Sequence, residues 1–151
     1  MATSEVAEKL QQEVIAAMKA KDKDRLGVLR MLKAAVKQVE VDQRRELEDA
    51  DILKILTSYA RKVKDQISSY GDAGRHELKN AAEAELLIVG EFLPAEMTDE
   101  ELSAIIAEVV AESGAAGPQD MGKVMKAVLG RTVGRADGGR VSALVTKSLV
   151  G

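Results

Sequence analysis

The 151-residue chain has three aromatic residues (Tyr59, Tyr70 and Phe92), one histidine (His76) and no cysteine. Disulfides, thiol nucleophiles, cysteine-ligated zinc and multi-histidine metal sites are thereby excluded, and few platforms remain for stacking unpaired bases. The formal charge of −3 offers no global attraction to a polyanion, so any such attraction must come from local clustering.

A composition of 46% apolar and 31% charged residues with only two prolines points to an all-α fold. Val6, Leu10 and Val14 step by four and predict a first helix over roughly 3–20, after which Asp22 or Asp24 can cap a second. That second helix carries Leu29, Leu32, Val36 and Val39 and runs to about Arg45, before the acidic break Glu46-Leu47-Glu48-Asp49. A third places Ile52, Leu56, Tyr59, Val63, Ile67 and Tyr70 on one face and stops at Gly71-Asp72-Ala73-Gly74. A fourth, with Leu78, Ala82, Leu86, Val89 and Leu93, is expected to end at Pro94.

Eight of the 12 glycines lie in residues 94–151, which predicts short helices joined by tight turns. Thr98-Asp99-Glu100-Glu101 reads as a reciprocal capping box for a helix bearing Leu102, Ile105, Ile106, Val109 and Val110. Met121, Val124, Met125, Val128 and Leu129 repeat those offsets behind Pro118, and a last helix, capped near Asp137, carries Val141, Leu144, Val145 and Leu149. We therefore expect a helical N-terminal domain of about four helices over 1–93 and a compact three-helix domain over 94–151. No run approaches the length of a membrane span, and the start has neither a basic nor an apolar leader region, so a cytoplasmic protein without a membrane partner is expected.

Most candidate chemistry fails on inspection. Gly117-Pro118-Gln119-Asp120-Met121-Gly122-Lys123-Val124 matches the phosphate-cradling G-x-x-x-x-G-K loop, but Val124 cannot ligate magnesium and no strand precedes it. Gly122 then reads as a site of close helix packing. His76-Glu77 would open a zinc-protease helix, but Asn80 stands where the second histidine belongs. Glu83 and Glu85, two apart on a helix, do not share a face. Met18, Met31, Met121 and Met125 fall on apolar stripes and read as core filling. No metal or cofactor is expected. From Pro118 to Gly151, however, six cations (Lys123, Lys126, Arg131, Arg135, Arg140 and Lys147) face two anions (Asp120 and Asp137), a local balance of +4 in an acidic chain. Flanking glycines would let a phosphate backbone approach closely.

Gly74-Arg75, Glu77-Leu78, Phe92-Leu93-Pro94, Asp120-Met121-Gly122-Lys123-Val124-Met125 and Gly134-Arg135-Ala136-Asp137-Gly138, in this order, resemble the YqeY-like family over nearly the whole chain. That family shares its domain with the tail of the B subunit of glutamine-dependent tRNA amidotransferase. The resemblance implies a helical N-terminal domain, a three-helix tail domain and, for the tail, a tRNA-contacting appendage that performs no chemistry. It reaches Gly122, Lys123, Gly134, Arg135 and Gly138; Lys126, Arg131 and Arg140 join them from the charge pattern. The catalytic body of that subunit has no counterpart here, so acyl activation and amide formation are not expected of these residues, and a carbon-nitrogen ligase label would be inherited by association. Two functions follow as expectations: a non-catalytic module that binds folded tRNA by shape and phosphate, or an adaptor whose N-terminal helices dock an aminoacyl-tRNA synthetase or amidotransferase.

Overall fold

The computed structural model describes residues 4–150, which form seven α-helices and one 3-10 turn and include no strand. The start of the predicted first helix, at residue 3, lies outside the described residues. The chain divides into two compact units, Met1–Pro94 and Ala95–Gly151, each with its own apolar core.

In the first unit, α1 (Glu5–Ala20) opens on Ser4, whose hydroxyl accepts the Ala7 N–H at 3.1 Å. It ends at Lys21 in the left-handed region, φ 58°, an unusual place for a residue other than glycine. Asp22, not Asp24, caps α2 (Lys23–Gln43), accepting the Arg25 N–H at 3.1 Å. Asp51 accepts the Glu48 N–H at 3.0 Å at the start of α3 (Asp49–Asp72). Gly74, φ 70°, turns the chain into α4 (His76–Gly90). Leu10, Val14, Leu29, Leu32, Ile52, Leu56 and Val89 form the center of the core.

Helix α4 ends at Gly90, four residues before Pro94. The N–H groups of Glu91, Phe92 and Leu93 switch to carbonyls three residues back, and Phe92 turns inward until it is 5% exposed. Lys9 lies over its ring, 5.2 Å from the centroid. Next to it, Arg25 joins Glu13 at 2.9 Å and Glu91 at 2.6 Å, tying α1, α2 and the end of α4 together. The hydrogen bond from Arg25 holds the Glu91 carboxyl below the usual carboxylate range, against the opposing effect of burial.

The second unit comprises α5 (Asp99–Ser113), the 3-10 turn Pro118–Asp120, α6 (Met121–Arg131) and α7 (Gly138–Val150), packed around Leu102, Ile106, Val109, Val124, Val128, Val141 and Val145. Only half of the predicted capping box forms at α5. Thr98 accepts the Glu101 N–H at 3.1 Å, while the Glu101 carboxylate is taken by the Thr98 hydroxyl and by Arg135. Met121 and Met125 pack on this core as expected, whereas Met18 and Met31 do not fill the first: they are 52% and 55% exposed.

Candidate functional site

Four of the five residues of the Gly134-to-Gly138 motif have an architectural task; Gly138 is exposed and a Cβ there would meet nothing within 4 Å. Gly134 takes φ 79°, which favors glycine, and Ala136 is buried in the tail core. Asp137 accepts the Arg140 N–H at 2.9 Å at the start of α7, and Gly138 is that helix's first residue. Arg135 donates from Nε to the Ala95 carbonyl at 3.0 Å, and its own carbonyl accepts the Met97 N–H at 2.8 Å. Arg140 donates to the Met97 carbonyl and to Asp99, and lies 3.7 Å from Glu96. The two arginines clasp residues 95–99, the lead-in to α5, onto the turn before α7.

The +4 of residues 118–151 is thus largely cancelled in space. Arg131 pairs with Glu108 at 2.6 Å, Arg135 with Glu101 at 3.3 Å and Arg140 with Asp99 at 3.0 Å. From Ala95 to Gly151 six Lys and Arg face eight Asp and Glu, so the folded unit carries −2.

The G-x-x-x-x-G-K segment is no phosphate loop. It follows helix α5, its center is the 3-10 turn, the Asp120 carboxylate accepts the Ala116 N–H at 2.9 Å, and Lys123 Nζ donates to the Ser113 carbonyl at 3.1 Å, capping the end of α5. His76 is exposed at the first position of α4. Glu83 lies 3.9 Å from Lys79, whereas Glu85 accepts the Tyr59 hydroxyl, so the two acids serve separate contacts. Burial, and then that hydrogen bond, push the Tyr59 hydroxyl up. Among the described residues no group of three or more His, Cys, Asp and Glu side chains could hold a metal ion, and no helix is long and apolar enough to cross a membrane.

Four of the predicted site residues, Gly122, Lys123, Lys126 and Arg131, lie on α6. Gly122, Lys123, Lys126, Gly130 and Arg131 are exposed and recur at helical spacing, and α6 contains no acid. A Cβ added at Gly122 or Gly130 would meet nothing within 4 Å, so close packing does not account for either glycine. The expectation that Gly122 admits a neighboring helix is corrected accordingly. Among the described residues Lys126 forms no ion pair. The face is cationic, and among the described residues its polar ties are the exposed contacts of Lys123 and Arg131 to α5.

A second cationic face lies on α2. Arg30, Lys33 and Lys37 on α2 are exposed at offsets of zero, three and seven, and that spacing was the signal that could have found them.

The sequence profile of the Yqey-like protein family matches residues 7–149. The chain belongs to the YqeY-like family. Both of the longer family-like motifs lie within the matched span, and in this YqeY-like chain one builds the clasp at Arg135 while the other starts α6. No curated protein matches the chain.

Proposed function

We propose that this YqeY-like protein is a non-catalytic module that engages folded tRNA through the exposed face of α6. The observation that carries the reading is the set of residues left after architectural tasks are assigned: Gly122, Lys126 and Gly130 have none, and Lys123 and Arg131 are held only by exposed contacts. Exposed ion pairs are worth about 0–1 kcal/mol, so a phosphate can replace Glu108 at Arg131 at little cost. The open glycines let a sugar-phosphate backbone lie close to the helix. Contacts of this kind read shape and phosphate, not base sequence. Arg135 and Arg140, with Gly134, support that face indirectly by holding the turn before α7.

Titrating folded tRNA by fluorescence anisotropy at two salt concentrations tests the proposal. Three phosphate contacts predict a slope of about two to three log units of affinity per log unit of salt. A Lys123→Glu/Lys126→Glu/Arg131→Glu variant should lose binding while keeping its helical circular dichroism. Equal binding by this variant and the wild type, or no binding at low salt, refutes the assignment. The second reading, docking of a synthetase or amidotransferase through the N-terminal helices, is favored by the apolar grooves beside α2.

A further inference from the structure

We propose that the groove between α1 and α2 is a docking site for an acidic amphipathic helix of another protein. The groove has a volume of about 380 Å³; Ala7 and the exposed Ala34 line it above the buried Leu10 and Val36. Arg30, Lys33 and Lys37 stand along one wall, with Glu40 as the one acid lining it. These cations are poorly satisfied within the protein. Arg30 forms no ion pair among the described residues, Lys33 reaches only the neutral Gln11 amide, and Lys37 lies 3.9 Å from Glu40. At a rise of 1.5 Å per residue the three cations span about 10 Å, which two turns of a facing helix cover. Val41, seven residues beyond Ala34 and so on the same face of α2, is 59% exposed and continues the apolar line.

The charge and the apolar floor together select the occupant. A phosphodiester backbone would satisfy the cations but leave Ala7, Ala34 and Val41 facing water, and no aromatic residue lines the groove to stack a base. A neutral apolar helix would cover the floor and desolvate three cations without compensation. A helix with leucine-like residues on one face and carboxylates beside them meets both demands. The inference stands apart from the tRNA reading, because the two surfaces share no residue.

The test uses the full chain, labeled for NMR and titrated with a synthetic amphipathic peptide of about 18 residues, leucine on one face flanked by glutamate. Amide shifts are expected at Ala7, Leu10, Ala34 and Lys37. Affinity should fall at least ~tenfold for Arg30→Glu/Lys33→Glu/Lys37→Glu and for a peptide with glutamine in place of glutamate. Ala34→Arg separates shape from charge: it adds a cation but fills the groove, so it should also weaken binding ~tenfold. Ala34 and the three cations are exposed, and unchanged circular dichroism of each variant verifies the fold. Shifts confined to other surfaces, undiminished binding of the glutamine peptide, or tighter binding by Ala34→Arg would overturn the proposal. Tighter binding of duplex RNA or phosphatidylserine vesicles by Ala34→Arg, with no peptide binding by the wild type, would reassign the surface to a polyanion.

Discussion

Arg140 and Lys126 are both cations of the tail unit, yet they have opposite relations to the fold. Arg140 binds the Met97 carbonyl and Asp99 with its side chain 25% exposed, so Arg140→Ala should cost roughly 1–2 kcal/mol in urea denaturation. Lys126→Ala should stay within about 0.5 kcal/mol of the wild type. Arg25 and Glu91 give a pH-dependent counterpart. The folded-state pKa of Glu91 lies below its ordinary value of 4.5, so the unfolded chain binds the proton more readily and the pair stabilizes the protein above that pH. The contribution is lost as pH falls through the folded-state value. Because the Glu91 side chain is 45% exposed, the effect is held to about 1 kcal/mol. Glu91→Gln should therefore be less stable than the wild type at neutral pH, and the gap in urea midpoints should close on acidification. The cations themselves were legible in the sequence. Their partners were not, because the acids that neutralize Arg131 and Arg140 lie 23 and 41 positions away and only the fold brings α5 against them.

Helix α6 has a glycine one residue in from each end. A mid-helix glycine costs roughly 0.5–1 kcal/mol relative to alanine, which is an upper limit in these end turns, and the space beside Gly122 and Gly130 is open. Gly122→Ala and Gly130→Ala should each raise stability by about 0.4–1 kcal/mol in thermal or urea unfolding. If the α6 face receives a phosphate backbone, the same substitutions should weaken tRNA binding, and a gain in both quantities would count against that role. Periodicity in the sequence locates all seven helices because each buries one stripe. The end of α4 was harder to read: Phe92 gains more by turning into the core than by continuing the helix, a tertiary preference that Pro94 alone does not reveal.

Across the whole molecule, burial is divided between two cores, and each is built from few, tightly enclosed side chains. Leu56 is fully enclosed in the first. Leu56→Ala should cost about 2–5 kcal/mol, read as faster hydrogen exchange at the amides of Leu29, Leu32 and Val89. Local rates unchanged at those positions would contradict the cluster described around Leu56. The paucity of aromatics, first a reason to exclude chemistries, is matched by cores assembled almost wholly from leucine, isoleucine and valine. Such cores leave the charged residues on helix faces, where charge spacing can be read from sequence but charge neutralization cannot.

The clasp at Arg135 and Arg140 also bears on the order in which the protein is made. Residues 95–99 are synthesized long before their partners, and the Ala95 and Met97 carbonyls are met only by side chains 40 and 43 positions later. Until α7 has emerged, α5 lacks the Arg140 half of the clasp and the apolar cover of Val141 and Val145. Contacts this distant in sequence must await closure of the intervening chain. During translation, completion of the tail unit therefore waits until α7 has been made, and a truncation before Arg135 leaves the lead-in to α5 without its anchor.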